Sequence, residues 1–256
     1  MAVTIKSPRE IELMRKAGEI LAQVHEELHA AVHPGMSTLD IDKLGERLIR
    51  SHGCIPSFKN YNGYPASICV SVNDEVVHGI PKADRILQEG DIVSLDAGVI
   101  YKGYHSDAAR THAVGKVSPE VQKLMDVTKQ SFFEGIKQAK AGNHLFDISA
   151  AIDDYVSGFG YGIVQDLVGH GIGTNLHEDP QIPNFAQRTK GIRLMPGMTL
   201  AIEPMINIGR PDVEWLDDDW TVVTEDGSLA AHYENTILIT EGEPEILTLS
   251  HTEEDL

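Results

Sequence analysis

One glycine-to-carboxylate run occurs twice in this chain at an offset of 107 residues, as Gly90-Asp-Ile-Val-Ser-Leu-Asp96 and Gly197-Met-Thr-Leu-Ala-Ile-Glu203. The same offset relates Gly35, Asp40-Ile41 and Gly53 to Gly142, Asp147-Ile148 and Gly160. Ser7-Pro8 and Leu13-Met14 return as Ser118-Pro119 and Leu124-Met125 at an offset of 111. So many shared landmarks predict an internal repeat, roughly 7–112 and 118–240, with shared helix-capping chemistry as the alternative explanation. Two repeats are too few for a solenoid, so one body of two pseudosymmetric halves is expected. A carboxylate ending an apolar strand is costly to bury unless it is paired, hydrogen-bonded or bound to a cation. One in each half points to a shared charged site between the halves.

The repeat unit has a readable order of elements. Ser7-Pro8-Arg9-Glu10 is a capping box with proline at the first helical position, and Ile11, Met14, Leu21, Val24 and Leu28 continue at helical spacing to about Ala31. Pro34-Gly35 stops that helix, and a second runs from near Ser37 to Gly53. Strands rich in Val and Ile are expected over Ile68 to Val72, Ile92 to Ile100, Leu200 to Ile208 and Asn235 to Thr240. Helices followed by antiparallel strands in both halves make the chain α+β.

The segment Asp91 to His112 reads as a hairpin turning near Tyr101-Lys102-Gly103, which sets Asp96 about opposite Asp107. His105-Ser-Asp107 is matched by His232-Tyr-Glu234, so Glu234 should stand to Glu203 as Asp107 stands to Asp96. Four carboxylates then converge. Gly169-His170-Gly171-Ile172-Gly173 supplies a nitrogen donor, expected in an exposed turn that its glycines permit. Four carboxylates and an imidazole suit a pair of divalent ions such as Mn²⁺, Fe²⁺ or Co²⁺.

Composition narrows the setting. A formal net charge of −18 without a basic cluster argues against nucleic acid as a direct partner. Part of that charge lies in Asp212 to Asp219, and part in the tail 251–256, where fraying is expected. The two cysteines, Cys54 and Cys69, form no disulfide framework and carry no metal spacing. Neither a signal peptide nor a stretch of roughly 18 apolar residues is present, so no membrane and a cytoplasmic setting are expected. His25, His29, His52 and His251 read as surface residues, and Asp74 and Glu75 as a solvated loop.

Together, Asp96, Asp107, His170, Glu203 and Glu234, with Gly-His-Gly-Ile-Gly and Ala-Ile-Glu-Pro, closely resemble the bacterial type I methionine aminopeptidases of the pita-bread metallopeptidase family. The resemblance runs from Ser7 to about Thr240. It implies a pita-bread fold around a central dinuclear metal site, and removal of the initiator methionine from nascent proteins when the second residue is small. It further implies that Asp96 holds one metal, that His170 and Glu203 hold the other, and that Asp107 and Glu234 bridge both. A hydroxide bridging the metals would attack the peptide carbonyl, with Glu203 shuttling the proton. His177, in Asn175-Leu-His-Glu-Asp-Pro180, matches the family's catalytic histidine, and His78, in Val-Val-His-Gly-Ile-Pro, the histidine that bonds substrate.

Phe58, Tyr61, Tyr64, Cys69 and Trp220 align with the pocket for the methionine side chain, although core packing explains each equally well at this point. Phe58 and Leu176 stand where close bacterial relatives often carry Cys and Phe. The expected partners are N termini of nascent polypeptides, met by a monomer in transient proximity to the ribosome. X-Pro aminopeptidases and dipeptidases share the metal set but usually add an N-terminal domain, for which the residues before Ser7 leave no room. A metal-free binding protein of the same fold would show ligand substitutions, and none is present.

Overall fold

The computed structural model describes residues 3–249, so expectations for His251 and the tail 251–256 lie outside the described residues. Helix α1 (Pro8–Ala31) starts at the expected capping box: Ser7 Oγ accepts from Glu10 N–H, and Glu10 returns its carboxylate to Ser7 N–H at 2.7 Å. Its stripe of Met14, Ala17, Leu21, Val24 and Leu28 is buried. Helix α2 (Thr38–Ser51) is capped by Ser37, α3 (Pro119–Ile136) by Ser118, and α4 (Leu145–Ser157) starts after His144. Gly53 and Gly160, just beyond α2 and α4, both take positive φ. The two halves thus open with the same helix pair and the same glycine stops.

The strands that position the site are β1 (Ile68–Val72), β2 (Ile92–Tyr101), β3 (Tyr104–Ala113), β4 (Gly169–Gly171), β5 (Thr199–Ile202), β6 (Met205–Asn207), β7 (Ala230–His232) and β8 (Glu234–Leu238). Within one nine-stranded antiparallel sheet, β2, β3, β8, β5 and β4 are successive neighbours. The halves meet where Glu234 and Asn235 of β8 pair with Ala109 and Ala108 of β3. Separate buried clusters lie under each half, one around Leu21, Ile41 and Leu95, the other around Leu124, Phe132 and Ile237. Burying such side chains contributes roughly 1.5–3 kcal/mol each relative to exposure.

Register departs from the expectation in an informative way. Tyr101 pairs with Tyr104, so the turn is the two residues Lys102 and Gly103, both at positive φ, as a right-twisted hairpin prefers. That pairing sets Asp96 opposite Ala109 and Asp107 opposite Gly98. Asp96 and Asp107 are therefore diagonal neighbours on one face, not directly opposed. Asp96 also lies within β2 rather than at its end. The expected single strand from Leu200 to Ile208 is divided into β5 and β6 at Glu203-Pro204. In the second half Asn235 faces Ile202, and Glu203 and Glu234 are the next residue on each chain.

Candidate metal centre

Two adjacent cross-strand rows on one face of the sheet carry the predicted ligands. One row runs Asp96, Ala109, Glu234 and on to Glu203; the second contains Asp107, Ala201 and His170. Side chains of a strand alternate between faces, so residues two apart share a face. Between the ligands stand Ala109 in the first row and Thr236 with Ala201 in the second. Thr236 joins β3 to β8 by accepting from Asp107 N–H at 2.9 Å and donating to Asp107 C=O at 2.8 Å. Arg110 donates to the carbonyls of Glu234 and Thr248 and to Asn235 Oδ1, and Asn184 donates to the carbonyl of Glu203 at 3.0 Å. The backbone under three of the carboxylates is thereby fixed.

The side chains converge. His170 Nε2 lies 3.6 Å from Glu203 Oε1 and 3.9 Å from Asp107 Oδ2. One ligand atom each from Asp107, His170 and Glu234 falls within 4.8 Å of the others. Asp96 Oδ1, Asp107 Oδ1 and Glu234 Oε1 are buried without a hydrogen-bond partner. Burial, and then repulsion from Asp107, pushes Asp96, Glu203 and Glu234 well above the ordinary carboxylate range; burial raises Asp107 to about 7. His170 is only 7% exposed, in a strand rather than the expected exposed turn. Burial, with a smaller contribution from His177, lowers it to about 3, so the ring is neutral and able to ligate. Crowded carboxylates with unbonded oxygens beside a neutral imidazole are the donor set that divalent cations require.

These shifts make a pH-dependent prediction. Without metal, Asp107's contribution to stability is complete below its ordinary pKa and is lost as pH rises through about 7, and the raised pKa values of the other three act in the same direction. Divalent cations demand the ionised form and reverse the balance. The rise in melting temperature on adding Mn²⁺ is expected to be small near pH 5.5 and largest near pH 8. A calorimetric scan at each pH measures it; a larger gain at the acid end would contradict the assignment of these carboxylates to metal.

Every predicted site residue lines one cavity of about 200 Å³, from Phe58, Tyr61, Tyr64 and Cys69 through His78, Asp96, Asp107 and His170 to His177, Glu203, Trp220 and Glu234. Phe58, Tyr64, Cys69 and Leu176 are buried in its apolar wall, and Trp220 meets Tyr64 edge-on at 5.1 Å. Tyr64, which also lines the cavity, donates its hydroxyl to Gly79 C=O at 2.9 Å. Burial raises the Cys69 thiol, so it stays uncharged. His177 has its Nδ1 2.7 Å from Tyr61 Oη and its ring 4.2 Å from that of His170. Burial of the ring lowers its pKa, although the residue as a whole is exposed. His78 holds φ at +59°, a left-handed conformation uncommon outside glycine, and burial lowers it to about 4.

Other expectations need correction. His25 is buried, with Nε2 2.8 Å from Ala108 C=O, because α1 lies directly on β3. Glu75 is partly buried and its carboxylate accepts from Val72 N–H at 2.7 Å. The acidic segment 212–219 is mostly exposed, as expected, but Asp218 turns inward and accepts from Trp220 N–H and from Thr221 N–H and hydroxyl. That carboxylate sets the loop bringing Trp220 to the cavity, an Asx-type turn legible at most as Asp-Asp-Trp-Thr. Asn184 and Thr236 were not singled out in the sequence, and His232 only as a landmark of the repeat.

Four carboxylates and a histidine thus gather in one cavity with apolar side chains, a donor set suited to metal-dependent hydrolysis. The chain belongs to metallopeptidase family M24, whose sequence pattern matches residues 12–241. It is 54% identical over 247 residues to the methionine aminopeptidase of Clostridium acetobutylicum, covering 96% of this chain and 99% of that protein. With methionine aminopeptidase 1 of Bacillus subtilis it shares 52% identity over 246 residues, again across 96% and 99% of the two chains. The crystal structure of methionine aminopeptidase from Thermotoga maritima matches it with a TM-score of 0.95 at 44% identity, covering 97% of this chain and all of that one. The architecture is the family's pita-bread fold.

Proposed function

We propose that the chain removes the initiator methionine from nascent proteins whose second residue is small. What supports this reading is that Asp96, Asp107, His170, Glu203 and Glu234 line one cavity of about 200 Å³ together with the buried apolar side chains of Phe58, Tyr64, Cys69 and Leu176. Asp96, Asp107, His170, Glu203 and Glu234 would hold two divalent cations, Mn²⁺, Fe²⁺ or Co²⁺, with Asp107 and Glu234 shared between them. Bound there, the ions supply Lewis acidity toward the scissile carbonyl and make water a nucleophile near neutral pH.

The remaining work belongs to side chains. Phe58, Tyr61, Tyr64, Cys69 and Trp220 receive the methionine side chain, the thioether lying against aromatic edges. Glu203, as a carboxylate whose proton affinity burial has raised, takes a proton from the attacking water, holds it and passes it to the leaving amine. With Tyr61 donating its hydroxyl to His177 Nδ1, His177 keeps its proton on Nε2 and offers it to the oxyanion. His78 hydrogen-bonds the substrate peptide from across the cleft. Both repeats contribute, so the described residues act as a single catalytic domain.

The reading carries with it a monomeric cytoplasmic enzyme that meets emerging chains near the ribosome. The net charge of −18 supports an absence of direct nucleic-acid binding, and no described helix is long and apolar enough to cross a membrane. Peptide assays with Mn²⁺ or Co²⁺ test the specificity. Met-Ala-Ser is expected to lose its methionine, while Pro-containing dipeptides remain intact. Cleavage of the dipeptides in preference would reassign the chain to the X-Pro branch, and cleavage of neither would favour a binding protein.

A further inference from the structure

His232 ends β7 two residues before Glu234, and it is 1% exposed. Its backbone is held at both polar groups by one hydroxyl: N–H donates to Thr111 Oγ1 at 2.8 Å, and C=O accepts from it at 2.9 Å. Met205 of β6 pairs with it from the other side. The ring, in contrast, has no hydrogen-bond partner at Nδ1 or Nε2. Nε2 stands 3.9 Å from Glu203 Oε2 and 3.9 Å from Glu234 Oε2. Buried polar side chains nearly always have a partner, so a ring fixed in place and aimed between two carboxylates calls for a function there.

The other oxygens point elsewhere. Glu203 Oε1 faces His170 Nε2 at 3.6 Å, and Glu234 Oε1 is buried without a partner. His232 lines a separate cavity of about 450 Å³, shared with α1 and α3, and not the cavity that would receive substrate. It therefore stands behind the carboxylates, reaching them without reaching the peptide.

We propose that His232 is a positioning residue whose Nε2–H is shared between Oε2 of Glu203 and Oε2 of Glu234, leaving Oε1 of each to face the cations. One imidazole would then set the orientation of a carboxylate from each of two strands. The proposal rests on the reading that these carboxylates hold divalent metal. Partners of this kind commonly change metal affinity by roughly 10–100-fold when removed.

Calorimetric titration of metal-stripped protein with Mn²⁺ tests it in the wild type, His232→Ala and His232→Gln. The Ala variant is expected to bind the same number of ions, with the affinity at one position weakened roughly 10–100-fold. The Gln variant, which retains an N–H donor, is expected to recover most of that loss. Melting of each metal-free protein checks the fold, and His232→Leu replaces His232→Ala as the donor-less variant if the latter does not fold. Unchanged affinity in a folded donor-less variant overturns the proposal, as does an equal loss in Ala and Gln. Loss of a whole equivalent would make His232 a ligand and also overturn it. A wild-type protein that binds no Mn²⁺ would sink the metal reading itself, which keeps the two failures apart.

Discussion

His177→Ala is expected to lower kcat on Met-Ala-Ser roughly 100- to 10,000-fold while leaving the metal content of the protein unchanged. The split follows from where the ring sits. Its Nδ1 is engaged by Tyr61 Oη at 2.7 Å, so the nitrogen available to substrate is Nε2, and neither is among the converging metal donors. Removing a donor aimed at developing negative charge costs transition-state stabilisation and little ground-state binding, so KM should move less than kcat. His177 is reachable by solvent and lies outside the described helices and strands, so the variant should fold. Metal analysis beside steady-state kinetics decides the point: loss of metal in His177→Ala would reassign the residue as a ligand.

Asp107→Asn is expected to abolish turnover, a drop of at least about 1000-fold, and at the same time to raise the melting temperature of the metal-free protein. The second half of that pair separates this account from ordinary damage to a core. Asp107 is 4% exposed and, after burial itself, makes the largest contribution to pushing Asp96, Glu203 and Glu234 upward. An amide of nearly the same shape keeps the side chain's size and removes the repulsion. Relief of about 1 kcal/mol corresponds to a gain of roughly 2–4 °C in a chain of this size. Mn²⁺ should then stabilise the variant less than the wild type, because one of the proposed metal ligands has been lost. A metal-free variant that melts lower than the wild type would show that the carboxylate supports the fold through contacts other than these.

Much of this architecture could be read from the chain, for identifiable reasons. Capping boxes and glycine stops are local chemistry, so Ser7, Ser37 and Ser118 marked three of the four helix starts. The carboxylates were conspicuous because charge in an apolar strand needs a reason. What could not be read was register. The turn at Lys102-Gly103 sets Asp96 opposite Ala109 and two residues from the partner expected for it, and no local signal distinguishes those pairings. Burial of histidines was misjudged for the same cause: His25 is covered by β3 and His170 by its neighbours in the sheet, contacts set by elements distant in sequence. His232 is the sharpest example. Its relation to Glu203 depends on β6, β7 and β8 meeting at one point, whereas in sequence it is only one member of a His-Tyr-Glu triplet.

The central claim is that five side chains from both repeats form one metal-dependent catalytic centre. Stepwise addition of Mn²⁺ to chelator-stripped protein, with bound metal and release of methionine from Met-Ala-Ser measured in the same samples, tests it most directly. The account predicts no release without metal, binding that saturates at two ions per chain, and activity that rises with occupancy. Full activity in the stripped protein, or two ions bound with equal affinity after Asp107→Asn, would contradict it.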